Sequence, residues 1–165
     1  MSTTTPTKKK SNALTKEERA ELRAYMDDSA AAMAIHAERQ KEIGLLAKQE
    51  PHASLDREAR NLLKRAQGLV AQWRWVEAEV LAQDALKLVL DLVTKLDIEG
   101  VSKDPEQWAG KGPLYTYGMG KMQKHARYHS EQALFWLHTG QHKNALNDAD
   151  AFLLWVRRGA RSLAR

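Results

Sequence analysis

The chain has no cysteine among its 165 residues, which excludes a disulfide scaffold, thiolate metal sites and a cysteine nucleophile. Glycine and proline are scarce, nine and four respectively, too few for the turn-dense connections of a β-rich fold. Long apolar runs are missing as well. The longest, such as Ala151 to Val156, fall far short of the roughly 20 residues that cross a bilayer. The N-terminal MSTTTPTKKKSNALTKEE has no apolar core of the kind a secretory signal needs. The expectation is a soluble, unexported chain, cytoplasmic by default and without membrane contact.

What is present reads as an ordinary globular helical protein, 43% hydrophobic and 28% charged. At this length one domain buries roughly 70% of the surface that its unfolded chain exposes, enough for a hydrophobic core. The net charge of +5 suggests a nucleic-acid partner until it is located. Lys8, Lys9 and Lys10 contribute +3 and Arg157, Arg158, Arg161 and Arg165 contribute +4, so residues 11–156 carry −2. The body is therefore not basic, and the basic ends read either as solubilising tails or as arms for phosphate.

Residues 1–13 are rich in Ser, Thr and Lys and too poor in apolar groups to repay ordering, so they are expected to be a disordered tail. Thr15 with Glu18 three residues later forms a capping-box pattern, and no proline follows until Pro51, so one helix is predicted over Lys16 to Gln49. At 1.5 Å per residue it would be about 50 Å long, so it is expected to bend, to break near Glu38 to Glu42, or to serve a partner. Ser54 and Asp56 are candidate caps of a second helix that carries Leu62, Leu63, Ala66, Leu69 and Val70 on one face and ends near Trp73. A third helix runs from Trp75 through Val76, Val80, Leu81, Leu88 and Val89 to Leu92. Five glycines and two prolines in residues 98–120 predict a long loop, a feature usually tied to function when found in a compact domain. A fourth helix follows from Lys121 to His138, and a fifth from Lys143 to Arg158, ahead of Gly159 and an Arg-rich tail over 159–165. The prediction is an all-α bundle of about five helices, one domain over residues 14–158, with a long first helix and two amphipathic hairpins.

The two hairpins align at an offset of 67 residues: Ala66, Ala78, Ala82, Leu86 and Val89 fall on Ala133, Ala145, Ala149, Leu153 and Val156. Leu69, Ala85 and Leu88 fall on Trp136, Phe152 and Trp155. Small residues late in one helix and early in the next resemble the tetratricopeptide hairpin, over residues 59–92 and 126–158. That resemblance implies helix pairs in close contact and a role in binding other proteins. Trp73 stands at the turn where the second copy has Gly140, and no closing proline follows.

Motifs for chemistry are absent or incomplete. The segment WAGKGPLYTYGMGK, Trp108 to Lys121, interleaves aromatics, lysines and glycines, but Tyr115 and Met122 replace the Gly and the Ser or Thr that a phosphate-cradling loop requires around Gly120-Lys121. A stacking platform for single-stranded nucleic acid on Trp108, Tyr115 and Tyr117, with Lys111 and Lys121, is one reading, and an aromatic loop folded onto the core is the other. His125 and His129 have metal-ligand spacing, but Ala126 stands where a hydrolytic zinc helix has Glu. His138 and His142 share the spacing but straddle Thr139-Gly140. No Arg is followed by His at the five to seven residues that helical HEPN ribonucleases use. No metal, cofactor or enzymatic activity is expected.

Among five Trp, Trp136 and Trp155 fit apolar helix faces, whereas Trp73 and Trp75 flank Arg74 at a turn where both cannot easily point inward, so Trp73, Arg74 and Trp75 form a candidate partner surface. In the first helix Leu22, Met26, Met33 and Ala37 form one stripe and Tyr25, Ala32, Ile43 and Leu46 a second. Two stripes suit two neighbours. The functional expectation is a non-enzymatic adaptor or assembly protein that uses this helix, with Tyr25 and Ala32 at its centre, for another protein or for self-association. The alternative is a nucleic-acid-binding accessory protein that uses the basic tails and the Trp108–Lys121 loop.

Overall fold

The computed structural model describes residues 13–163. Among them are five α-helices, one short 3₁₀ turn at Pro105–Gln107 and no strand: α1 (Lys16–Ala47), α2 (His52–Ala71), α3 (Trp75–Lys95), α4 (Met119–His138) and α5 (His142–Leu163). The chain divides into two units, residues 1–43 and 44–165.

The described part of the first unit, residues 13–43, is made up almost wholly of α1, whose last turn belongs to the second unit. Its capping box forms as the sequence predicts: the Glu18 N–H donates to Thr15 Oγ1 at 3.0 Å and the Thr15 N–H to Glu18 Oε1 at 3.2 Å. The helix is unbroken through Glu38 to Glu42, where Arg39 and Glu42 pair across one turn at 3.5 Å. Between residues 16 and 42 almost every side chain is exposed, and the one buried residue of the helix is Ile43.

The second unit is a four-helix bundle. α2 packs on α3 and on α4, and α5 packs on α4 and on α3. Trp75 at the start of α3 lies against Gly159 near the end of α5, and Gln123 near the start of α4 donates to the Val70 and Ala71 carbonyls at the end of α2. Every neighbouring pair is therefore antiparallel, which leaves α3 and α4 running in the same direction. The connection between them must travel back along the bundle, about 30 Å for 20-residue helices. That topology is why a chain whose helices are otherwise joined by three or four residues has a long loop between Lys95 and Met119.

Alanines set the close contacts. Ala78, Ala82 and Ala85 on α3 and Ala145 and Ala149 on α5 are buried, as are Ala59 and Ala66 on α2 and Ala126 and Ala133 on α4, so small side chains face each other across the helix pairs. The core is completed by Trp75, Phe152, Leu63, Leu92, Leu146, Leu153, Met122 and valines 70, 89, 93 and 156. Val76 and Val80, placed with the core by their apolar character, are instead exposed: each lies away from the Trp75–Ala78–Ala82–Ala85 line that faces α5.

Three further boundaries differ from the sequence reading. α2 begins at His52, before Ser54 and Asp56, and its first turn is held by Glu50, whose carboxylate accepts from the Ser54 N–H at 3.2 Å and from the Ser54 hydroxyl and Arg57. Those hydrogen bonds, Ser54 first and Arg57 next, hold the Glu50 carboxyl below its usual range. Asp56 is taken by Arg60 inside the helix. α4 starts at Met119, so Gly120 belongs to the helix. α5 continues through Gly159 to Leu163, because Gly159 is a packing residue: a β-carbon there would overlap the Trp75 indole. Arg161, expected in the tail, thus belongs to the same helix as Arg157 and Arg158.

Candidate interaction surface

Along α1 the apolar side chains stand in water. Tyr25 is 69% exposed and Met33 72%, with Leu22, Met26 and Ile35 also exposed. Ala32 is exposed beside them. Tyr25 and Ala32, singled out by spacing, are therefore accessible, and Ile35, which belongs to neither stripe, adds an apolar group on another side. Ile43 of the second stripe is buried and Leu46 is partly exposed.

A second exposed apolar group lies where α2 turns into α3. Trp73 is 45% exposed, while Trp75 is fully buried and meets it edge to face with ring centroids 6.3 Å apart. Of the candidate partner residues at this turn, Trp73 and Arg74 are thus on the surface and Trp75 is core. Arg74 is held by Glu77 in a charge-assisted fork, Nε to Oε1 at 2.8 Å, which raises its pKa further. Beside the turn runs a groove of about 590 Å³ between α2 and α3, lined by Gly68, Leu69, Val80 and Leu81 with Arg65 and Glu77 at its rim.

Trp73 also carries backbone strain. Its φ is 61°, in the left-handed region, because it is the residue after the helix cap: the Arg74 N–H reaches the Leu69 carbonyl and the Trp73 N–H the Val70 carbonyl. Gly140 ends α4 with the same pair of bonds, from Gln141 to Trp136 and from Gly140 to Leu137. The two turns are the same structure at the offset of 67 residues, yet one uses glycine and the other a bulky aromatic. A large residue held there costs on the order of 1–2 kcal/mol relative to a relaxed conformation.

The Trp108–Lys121 loop is strapped to α5. Gly110, at φ 61°, donates to Asp150 at 2.8 Å, and a β-carbon on it would lie 2.7 Å from Leu153 Cγ. Arg157 donates to the Ala109 carbonyl and reaches Glu79 at 3.2 Å, and Arg158 donates to the Pro113 carbonyl at 3.0 Å. The Trp108 indole N–H is spent on the Ser102 carbonyl and Lys111 on Glu106. Burial pushes the Asp150 carboxyl up, offset by the Gly110 N–H and by Arg157. Farther along, Lys121 lies 4.7 Å over Tyr117, Arg158 lies 4.4 Å over Trp155, and His125 stacks on Trp155 at 4.3 Å. The loop folds back on the core, and its aromatics and the α5 arginines engage one another. Tyr115 and Arg161 are exposed. Lys8, Lys9, Lys10 and Arg165 lie outside the described residues.

His125 and His129 part company: His129 Nδ1 meets Asp148 at 2.9 Å and ties α4 to α5. Burial, then the Lys121 charge, pushes the His125 pKa down. Among the described residues no group of three or more His, Asp or Glu is placed to hold a metal ion, and no helix is long and apolar enough to cross a membrane. No protein family, curated protein or solved structure matches this chain.

Sequence reasoning missed the buried polar end of the bundle, where His52 Nδ1, Asp56 Oδ1, Arg60 Nε and His142 Nδ1 are buried without hydrogen-bond partners. Its only sequence signal was the 52-56-60 spacing, one face of α2, since His142 is distant in the chain. Burial pushes the His142 pKa down, against the opposing pull of Asp56 and of the Gly140 backbone.

Proposed function

We propose that this chain is a non-enzymatic interaction protein, an adaptor or assembly factor that offers α1 to another macromolecule. The observation that carries the reading is the exposure of Leu22, Tyr25, Met26, Met33 and Ile35 on one helix. Single exposed apolar residues need no explanation, but a run of them along one element marks a surface that gains from being covered. At roughly 25 cal/mol per Å², covering even half of that apolar area is worth several kcal/mol. The strained, half-exposed Trp73 beside an apolar groove supports the same class of function, because Trp is enriched among residues that dominate binding.

Tyr25→Glu with Ala32→Glu in the full chain tests it. Both residues are exposed, so the variant keeps the parent's circular dichroism and melting temperature, and association with any α1 partner weakens at least tenfold. Affinity stays nearly constant as salt is raised. Unchanged association in the double variant contradicts the proposal. A steep fall of parental affinity with salt would point to phosphate contacts and the nucleic-acid alternative.

A further inference from the structure

We infer that the groove between α2 and α4 is a further docking site, which takes a short acidic peptide segment of a partner protein. It is built from the four-helix unit alone and so goes beyond the reading of α1 as an association element. The groove has a volume of about 700 Å³, within the range of ordinary binding sites. Lys64, Gln67 and Gly68 stand on its α2 wall, and Gly120, Lys124 and Arg127 on its α4 wall. Along α4 the lining runs from Gly120 to Glu131, about 16 Å at 1.5 Å per residue, which matches about five residues of extended chain.

Neither the glycines nor the charge of this groove is required by the fold. Gly68 lies inside α2, where glycine weakens a helix relative to alanine. A β-carbon there would meet nothing within 4 Å, and the same holds at Gly120, so neither glycine serves close packing. At the offset of 67 residues the second hairpin has Phe135 in place of Gly68 and His138 in place of Ala71. The first hairpin thus leaves bare backbone along the groove where its counterpart carries rings, and bare backbone lets a ligand chain approach closely. Charge is gathered here by placement. Residues 11–156 carry −2 and α3 holds four acids against two bases, yet the groove sets Lys64, Lys124 and Arg127 against one acid, Glu131. Glu131 shows what these walls hold: its Oε1 accepts from Arg127 Nε at 3.0 Å and, across the groove, from Gln67 Nε2 at 3.4 Å. Lys64 and Lys124 make no ion pair among the described residues and are left for the carboxylates of a ligand. None of the described residues lining the groove is aromatic, whereas single-stranded nucleic acid relies on stacking its bases on rings, so the chemistry favours an acidic peptide.

Fluorescein-labelled hexaglutamate and hexaglutamine, titrated with the full chain at low salt and followed by fluorescence anisotropy, test the assignment. The parent binds hexaglutamate saturably and hexaglutamine at least tenfold more weakly, and the hexaglutamate affinity falls as salt is raised. Lys64→Gln with Lys124→Gln, both at exposed positions, keeps the parental circular dichroism and binds hexaglutamate at least tenfold more weakly. Lys87→Gln with Lys143→Gln removes the same charge from exposed positions on α3 and α5 and leaves the affinity within twofold of the parent. Gly68→Leu fills the groove: it melts no lower than the parent, because the position is open, yet binds at least fivefold more weakly. A parent that does not distinguish the two peptides, an equal loss in the two lysine pairs, or undiminished binding by Gly68→Leu each overturns the inference. So does a labelled thymidine oligonucleotide that binds more tightly than hexaglutamate and is lost in the Lys64 and Lys124 variant, which would assign the groove to nucleic acid. The Tyr25 and Ala32 variant binds hexaglutamate as the parent does, so failure at the groove and failure at α1 are told apart.

Discussion

Trp73 and Gly140 occupy equivalent turns, and the comparison isolates what the backbone costs at one residue. A left-handed conformation disfavours any residue with a β-carbon, so Ala at position 73 keeps the strain and Gly relieves it, while both lose the indole. Trp73→Gly is therefore expected to be more stable than Trp73→Ala by about 1 kcal/mol in urea unfolding, the reverse of the usual order. Equal stabilities would mean that the turn relaxes and that Trp73 is not strained. His142 gives a second residue-scale test. Its folded pKa lies below the ordinary 6.5, so the unfolded chain binds the proton more readily. The stability it supports is present above 6.5 and declines as pH falls below that value toward the lowered folded one. His142→Gln should flatten the decline of melting temperature just below pH 6.5; an unchanged slope would assign it elsewhere. Asp150, raised by burial, has the opposite sign, favouring the fold as pH falls, so only the comparison with the variant isolates His142.

At the scale of elements, helices with local signals were legible and those set by distant contacts were not. Thr15 and Glu18 announced the start of α1, and the alanine pattern placed the facing sides of both hairpins, because capping and periodicity involve residues within one or two turns. The end of α5 was misread because Gly159 looks like a helix terminator, and only the indole of Trp75, 84 positions earlier, explains why glycine is there. Val76 and Val80 were misassigned for a related reason: apolar character does not say which of two adjacent helix faces is covered. The long loop was visible in its glycines and prolines, but its attachment through Asp150, Arg157 and Arg158 was not, and basic residues near the end of the chain read as a tail. If the loop is a strap, Gly110→Ala should release it, since the new methyl meets both Leu153 and a left-handed backbone. Limited proteolysis within residues 98–118 should then accelerate at least tenfold, with the α-helical signal kept. Proteolysis at the parental rate would show that the contact with Leu153 is not what holds the loop.

For the whole molecule, residues 11–156 carry −2, and Arg157 and Arg158 are engaged by the loop and its aromatics. The candidate surface was half legible: the spacing singled out Tyr25 and Ala32, but an apolar stripe has the same sequence whether it is core or exposed. Helices draw most of their stability from packing of an apolar face. A helix with its apolar side chains in water should consequently open easily until something covers them. Hydrogen exchange in the full chain as a function of concentration, and again with any captured partner, measures this directly. Amides of residues 16–42 are expected to exchange at least a hundredfold faster than those of α3 and α5 in dilute solution, and to gain protection as association proceeds. Protection of residues 16–42 equal to that of α3 and α5 in the dilute monomer, unchanged by concentration or partner, would contradict α1 as the interaction surface.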